Sequence, residues 1–233
     1  MTAKGLSVWR DVHEIRSFED FTKTIDQNLR HSKVLLVWYS EVYPSRPYCQ
    51  WELATAHCAD PERVLVINPH DTDDHVWPKS LRACKYGRPD GEATLRDIVA
   101  KIQSFSDPLP LSVFPDARHW VGIKHDGGSN RFVGRVQELW NIDDALRKDT
   151  VSRSVGIVQI QGLAGMGKSM LAEEYARRFA ARWPGGVYKS IASAGTSPAD
   201  FHRSIIALIK ASAVAEDCKT DEDACRLFRD LLP

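Results

Sequence analysis

The sequence predicts an α/β protein built on a doubly wound parallel sheet. Short runs of apolar residues alternate along the chain with segments in which apolar residues recur at helical spacing. Residues 34–39 and 64–67 are two such runs, and strands that are apolar throughout are typical of a parallel sheet buried on both faces. Regular alternation of strand and helix favours helices on both sides of such a sheet.

The first half of the chain is predicted to hold three strands and three helices. Strands are expected within residues 5–12, where Leu6 and Val8 alternate, and at residues 34–39 and 64–67. A first helix is indicated by apolar residues at helical spacing, namely Phe18, Phe21, Ile25 and Leu29. A second is expected at residues 49–57, because Pro47 suits the first turn of a helix. Residues 70–91 are polar and rich in Asp, Pro and Gly, which predicts a loop, and residues 93–105 a third helix.

The second half begins after a change in composition. Residues 106–130 contain three prolines and a Gly-Gly pair, which suits a linker between units. Beyond them, a helix is marked by Val136, Leu139, Trp140 and Leu146. Strands are then expected at residues 155–160 and 187–192, and helices at 169–182, 201–213 and 221–232. We therefore predict domains at residues 1–107 and 132–233, joined by a linker at 108–131.

Composition and charge exclude several classes of protein. The 233 residues include 31 basic and 31 acidic side chains, so binding to nucleic acid or anionic membranes through bulk charge is not expected. The apolar runs are far shorter than the roughly 20 residues of a membrane span. The five cysteines form no C-x-x-C pair, and the N-terminus has no apolar signal segment. Reduced thiols in the cytoplasm are the simplest interpretation.

A glycine-rich loop carries the clearest chemical signal. Residues 162–169 read GLAGMGKS and satisfy G-x-x-x-x-G-K-[ST] between a predicted strand and a predicted helix. In this motif Gly162, Gly165 and Gly167 let backbone N–H groups face the phosphates, and Lys168 supplies a positive charge to them. The Ser169 hydroxyl is the expected magnesium ligand. A chance glycine-rich turn is the alternative, and the pattern favours binding of ATP or ADP with Mg²⁺.

The segment around this loop resembles STAND-type NTPases, the NB-ARC proteins and related switch ATPases. Phe132-Val133-Gly134-Arg135, followed by an amphipathic helix about 30 residues before the loop, is similar to the F-V-G-R segment that packs beside adenine in that family. No apolar run after Ser169 ends in the aspartate that holds magnesium during hydrolysis. The resemblance covers residues 132–233 and implies oligomerisation switched by ATP and ADP, rather than fast turnover.

Residues 40–53 resemble the S-x-x-Y-x-x-S-x-W-C-x-x-E-L segment of TIR domains. Tyr48 stands where the family has Trp and Arg46 where it has Ser, and the matching positions are Ser40, Tyr43, Cys49, Glu52 and Leu53. Residues 5–11 are similar to the second TIR strand, G-x-x-V-[FW]-x-D, which leads into the BB loop at residues 12–19. The resemblance covers residues 1–105 and implies a flavodoxin-like doubly wound sheet. The STAND resemblance implies that the start of a P-loop NTPase domain follows it.

The TIR resemblance gives Glu52 a chemical role. Many TIR domains cleave NAD⁺ at the bond between nicotinamide and ribose, and Glu52 matches their catalytic glutamate. Departure of nicotinamide neutralises a pyridinium, so the reaction needs no general acid and one carboxylate can stabilise the oxocarbenium-like ribose. Tyr48 lies one helical turn before Glu52 and is expected to pack against the ligand. The alternative is that Glu52 merely stabilises the start of a helix.

Histidine and cysteine elsewhere suggest no further site. The eight histidines are scattered, and no His/Cys spacing suits zinc. His57 beside Cys58 is interpreted as a pair on a helix surface, not as a base and nucleophile. Trp9, Trp38 and Trp51 are expected in the core or an interface.

The TIR resemblance also implies that a strand is missing. The family's sheet has the order B-A-C-D-E, and the chain begins where the helix after strand A ends. Without strand A, the strand in residues 5–12 has no neighbour beside residues 34–39. We therefore expect these 233 residues to be a fragment, truncated at both ends, with little or no NADase activity.

Two functional hypotheses follow from the sequence. In the first, the intact protein is a cytoplasmic TIR–STAND immune or signalling protein, and ATP-driven homo-oligomerisation through both domains activates cleavage of NAD⁺. In the second, the TIR domain is a non-catalytic adaptor and only the glycine loop binds a small molecule. The two hypotheses differ in whether Glu52 supports nicotinamide release.

Overall fold

The structure is a computed structural model that describes residues 6–10, 21–82, 92–111, 120–121, 132–147, 158–183, 186–190 and 195–197, and residues 204, 207, 220, 222 and 226. Over the described residues, helices and strands alternate from residue 21 to residue 67, as predicted, but not beyond. The helices are α1 (Phe21–His31), α2 (Pro47–Ala59), α3 (Lys79–Arg82), α4 (Glu92–Gln103), α5 (Val136–Arg147) and α6 (Lys168–Arg178). The strands are β1 (Leu35–Trp38), β2 (Val64–Ile67), β3 (Trp120–Val121) and β4 (Val187–Tyr188). Single 3-10 turns lie at Tyr43–Ser45, Pro61–Arg63 and Ala180–Arg182.

A β1–α2–β2 unit forms the centre of the fold. The two strands are parallel, in a register that pairs Leu35 with Val64 and Trp38 with Ile67. The ladder is extended by the Tyr39 amide, which donates to the Ile67 carbonyl over 2.8 Å. Parallel neighbours require a crossover connection, and α2 provides it. The carboxyl ends of β1 and β2 consequently meet at one edge of the sheet.

Helix α2 is buried on most of its circumference. It begins at Pro47, where the missing N–H costs no helical hydrogen bond, and it packs against both strands and against α6. A helix inside a fold is buried on most faces, and the buried residues of α2 are Gln50, Trp51, Leu53, Ala54, Thr55, Ala56 and His57. Because both halves of the chain contact α2, their apolar side chains join in one core cluster.

The second half adds α5, α6 and the β3–β4 pair. Trp140 of α5 and Phe179 after α6 are 1% and 2% exposed, and their rings meet edge to face with centroids 4.7 Å apart. Strand β3 pairs in parallel with β4, so that Trp120 lies opposite Val187. The described strands thus form two parallel pairs rather than one wide doubly wound sheet.

Most predicted helices and the two buried runs are confirmed. Helix α1 spans the predicted apolar positions Phe21, Ile25 and Leu29, and the fourth, Phe18, lies outside the described residues. Helices α2, α4, α5 and α6 lie within about four residues of their predicted positions. Strand β4 covers the first two residues of the run predicted at 187–192. Of the two helices predicted at 201–213 and 221–232, residues 204, 207, 222 and 226 are described, and all four are helical.

Several predicted elements differ from the structure. Residues 6–10 are not a strand, and neither are residues 158–160; the rest of those two predicted strands lies outside the described residues. A strand needs a neighbour to satisfy its backbone groups, and within the described residues none pairs with residues 6–10. The predicted loop at 70–91 contains the short helix α3.

Strand β1 is not buried on both faces, contrary to prediction. Val37 is 2% exposed, whereas Trp38 at the end of the strand is 54% exposed. The described residues give β1 one neighbour, β2, and its other edge lines a wide cleft. The apolar sequence predicted burial of the whole strand, but the described residues cover β1 on one side only.

The predicted linker at 108–131 contains ordered structure. Leu109 is 4% exposed and its amide donates to the Ser32 carbonyl over 2.8 Å. Arg63 holds the same stretch by donating to the carbonyls of Asp107 and Pro108 over 2.7 and 2.9 Å. Strand β3 lies further along it. The domain bounds at 107 and 132 stay a prediction.

Candidate functional site

Glu52 lies on a cleft beside the sheet. The cleft has a volume of about 1080 Å³ and is bounded by residues 6–10, α1, the open edge of β1 and the end of α4. From α2 it receives the side chains of Cys49 and Glu52, which share a face at i and i+3. Trp38 and Ile67 bring the carboxyl ends of β1 and β2 to it. Ligands of open α/β sheets bind at that end of the strands, so this cleft is the first candidate site.

The position of Glu52 in α2 bears on the alternative that it serves only the helix. With Pro47 as the first helical residue, Glu52 is the sixth, and the first turn contains no acidic residue. The helix dipole acts mainly within the first turn, so it gives Glu52 little stabilisation. Glu52 is half-buried at the cleft wall. Its placement therefore suits contact with a ligand better than helix capping.

The loop before α2 is fixed by two tyrosines. The Tyr43 hydroxyl donates to the Cys49 carbonyl over 2.9 Å, and its ring lies 4.6 Å from that of Tyr39. The fully buried Tyr39 hydroxyl donates to the Trp77 carbonyl over 3.1 Å and accepts from the Trp77 amide over 3.0 Å. Burial, together with the nearby Cys49 and Glu52, raises the pKa of Tyr43 well above its usual value. Tyr43 is thus a neutral anchor of this loop and not a base.

Tyr48 stands apart from the cleft. It is half-buried in the first turn of α2, and the cleft is lined by its neighbour Cys49 instead. Tyr48 and Glu52 share a helix face at i and i+4, but the structure brings only Glu52 to the cleft wall. A contact between Tyr48 and a ligand stays a prediction. The cleft residues that sequence reasoning missed include Leu36 and Gln103, which carry no motif.

The glycine loop at residues 162–169 has the backbone that its sequence predicts. Gly165 and Gly167 adopt φ angles of +78° and +73°, which residues other than glycine rarely adopt. Helix α6 begins immediately afterwards at Lys168. The Lys168 ammonium donates to the carbonyls of Gly162 and Leu163 over 3.0 and 2.8 Å. Ser169 is exposed in the first turn of α6, where unpaired helix N–H groups favour an anion.

Arg135 reaches the same loop from the start of α5. Its guanidinium Nη1 donates to the Met166 carbonyl over 3.0 Å, and Nε pairs with Glu138 at 3.2 Å. The backbone turns sharply here, because Gly134 and Arg135 have φ angles of +74° and +55°. Phe132 is buried, with the Arg178 guanidinium 5.4 Å from its ring centroid. Arg135 therefore lies against the glycine loop, and the packing of residues 132–135 beside an adenine stays a prediction.

The interpretation of His57 and Cys58 as a surface pair is wrong. His57 is 1% exposed, because α2 is covered at this point by Trp140 of α5, whose ring lies 5.2 Å from the imidazole. Burial, with Arg147 and Arg182 nearby, lowers the pKa of His57 to about 3. Burial raises the pKa of the Cys58 thiol to about 12. The two groups are neutral at pH 7 and have no role as base and nucleophile.

We predict a loss of stability in acid that is specific to His57. Its pKa is lower in the folded protein than in the unfolded chain, so the unfolded state takes up the proton first as pH falls below about 6.5. Between pH 7 and pH 5 the wild type should lose about 2 kcal/mol more unfolding free energy than His57→Gln. Urea titrations at both pH values measure the difference. Equal losses in the two proteins would contradict a buried neutral His57.

Comparison with known proteins identifies the first part of the chain. Residues 1–99 match the family model of the TIR domain. No curated protein and no solved structure matches the chain. None of the helices in the described ranges is long and apolar enough to cross a membrane. The match indicates a general role in signalling or immunity. Residues 1–99 are therefore similar to TIR domains, and their described part has an α/β fold with a parallel sheet of few strands.

Proposed function

We propose that the protein cleaves NAD⁺ to release nicotinamide through its TIR domain, and that ATP or ADP at the glycine loop controls this activity. The observation that carries the proposal is the half-buried Glu52 on the wall of a cleft large enough for a dinucleotide. The cleft lies at the carboxyl ends of β1 and β2, where α/β sheets bind ligands.

Glu52 supplies the chemistry that the reaction requires. As the bond between the ribose C1′ and the pyridinium nitrogen breaks, its electron pair neutralises the pyridinium and nicotinamide leaves without protonation. The ribose then carries the positive charge, and a carboxylate in a partly desolvated site stabilises that charge more strongly than water does. Water adds to C1′ and loses a proton to solvent, which gives ADP-ribose. Trp38, 54% exposed at the same wall, offers a flat apolar surface for a ring of the substrate.

The residues of the glycine loop fit a nucleoside diphosphate or triphosphate. The Lys168 ammonium donates hydrogen bonds to two carbonyls of its own loop. It can exchange these hydrogen bonds for hydrogen bonds to phosphate oxygens. A Cβ at Gly165 would meet no atom within 4 Å, so its glycine is required by the positive φ rather than by lack of space. The bound nucleotide would supply negative charge, and Ser169 would bind its Mg²⁺.

Self-association and location complete the proposal. Oligomers formed through the TIR and nucleotide-binding regions would raise the local concentration of TIR domains and so complete the NADase sites. We place the protein in the cytoplasm, a reducing compartment in which cysteines stay thiols. The resemblance of residues 132–233 to switch ATPases leads us to propose a nucleotide switch and not a fast ATPase.

Release of nicotinamide tests this function. The full-length protein should release nicotinamide from NAD⁺, at a rate per molecule that rises with protein concentration and changes on addition of ATP and Mg²⁺. Chromatography of the reaction at several protein concentrations gives both quantities. Complete absence of release, with ATP still bound, would instead identify the TIR domain as a non-catalytic adaptor.

A further inference from the structure

We propose that Arg182 links α2, the helix that carries Glu52, to α6, the helix that follows the glycine loop. The position of α2 then depends on the position of α6. Arg182 lies in the 3-10 turn at the end of α6. Its Nε donates to the buried Asp143 carboxylate over 3.2 Å, and its Nη1 donates to the Cys58 carbonyl over 3.3 Å. One guanidinium therefore contacts both α5 and α2.

The contact with α2 is made where that helix needs a donor. The last carbonyls of a helix have no partner within it, and the Cys58 carbonyl belongs to this group. A guanidinium at a helix C-terminus satisfies the carbonyl and also interacts favourably with the negative end of the helix dipole. Arg182 thus serves as a C-terminal cap of α2 that is supplied from another part of the chain, 124 residues away.

Asp143 holds Arg182 in place. This carboxylate is 1% exposed and also accepts a hydrogen bond from the Tyr175 hydroxyl over 3.3 Å. A buried charge is tolerated only when it is well paired, and Arg182 and Arg147 at 3.2 and 3.1 Å provide the pairing. Because Tyr175 belongs to α6 and Asp143 to α5, the cluster ties both helices to the C-terminal end of α2.

Aromatic packing makes the connection rigid. The His57 imidazole of α2 meets the edge of Trp140, which meets the edge of Phe179, and Phe179 stacks on Tyr175 at 4.8 Å. Close-packed interiors transmit small displacements rather than absorbing them. From Lys168 to Arg182 the path along α6 is about 20 Å, and from Cys58 back to Glu52 it is about 9 Å. A displacement at the glycine loop therefore reaches the helix of Glu52 through contacts that are already formed.

Amide hydrogen exchange of the whole protein tests the role of Arg182. In Arg182→Ala, exchange at residues 55–59 of α2 should rise about tenfold, while β1 and β2 should stay within about twofold of wild type. Arg147→Ala is the matched control, since Arg147 also pairs with Asp143 but lies within α5. This control should leave exchange in α2 within about twofold. Unchanged exchange in α2 of Arg182→Ala, an equal rise in Arg147→Ala, or a rise shared by β1 and β2 would overturn the proposal.

If Arg182→Ala does not fold, the same hydrogen-exchange measurement is made on Arg182→Lys. Lysine keeps the charge toward Asp143, but its single nitrogen cannot reproduce the two-point contact of the guanidinium. A rise confined to residues 55–59 supports the proposal, and no rise overturns it.

Coupling between the glycine loop and α2 also rests on the proposed nucleotide site. A separate experiment distinguishes failure of the coupling from failure of nucleotide binding. ADP with Mg²⁺ is added to the wild-type protein. Protection of residues 162–170 together with altered exchange at residues 55–59 is the expected result. Protection of residues 162–170 alone overturns the coupling. Protection at neither place counts against nucleotide binding, and the Arg182 variants then decide the role of Arg182 by themselves.

Discussion

Glu52→Gln is expected to lower the rate of nicotinamide release by about 10²–10³-fold. The substitution keeps the size and most of the hydrogen-bonding capacity of the side chain but removes its negative charge. Because the transition state places positive charge on the ribose, the lost interaction is one that forms only as the bond breaks. The loss should therefore appear in kcat, with KM for NAD⁺ nearly unchanged. Chromatographic rates over a range of NAD⁺ concentrations separate the two constants.

Glu62→Gln is the matched control for this experiment. Glu62 is an exposed carboxylate just after α2, 3.7 Å from Lys101, and it does not line the cleft. Its substitution should leave nicotinamide release within about twofold of wild type, since exposed ion pairs contribute little. If Glu52→Gln released nicotinamide as fast as Glu62→Gln, the carboxylate at position 52 would have no part in the reaction.

Lys168→Ala is expected to weaken binding of ATP and ADP by at least about 100-fold, because a charge-assisted contact to the phosphates is lost. Lys168 is the cation that the structure places inside the glycine loop, on the carbonyls of Gly162 and Leu163. Both hydrogen bonds that its side chain makes within the described part of the chain go to the glycine loop and none to the core, so the variant should fold. Titration calorimetry with each nucleotide in the presence of Mg²⁺ measures the affinities.

A second lysine in the same region provides the comparison. Lys189 follows β4 and pairs with Glu173 on α6 instead of the glycine loop. Lys189→Ala should therefore bind nucleotide with nearly wild-type affinity. Equal weakening in the two variants, or unaltered binding by Lys168→Ala, would show that the loop does not bind phosphate as proposed.

Local sequence patterns were sufficient for the elements that surround Glu52. The apolar runs predicted β1 and β2, and Pro47 marked the start of α2, because both signals depend on a few neighbouring residues. The spacing of glycines in residues 162–169 predicted the turn before α6 for the same reason. Where backbone conformation is fixed by residue type, sequence alone predicts it well.

Features that depend on distant contacts could not be predicted. Trp38 follows three apolar residues in β1, yet its 54% exposure depends on what lies beside that strand. His57 is buried where Trp140 of α5 and Ser80 of α3 contact it, and no residue near it in sequence indicates this. The contact between Arg182 and Cys58 joins residues 124 positions apart. Such pairings carry no local signal, because they are set by how separate helices pack.

The measurement that tests the central claim most directly is a crystal structure of the protein with NAD⁺ or a non-cleavable analogue. The proposal predicts the dinucleotide in the cleft beside β1, with the Glu52 carboxylate about 3.5 Å from C1′ of the nicotinamide ribose. A dinucleotide bound away from this cleft, with Glu52 facing only solvent, would contradict it.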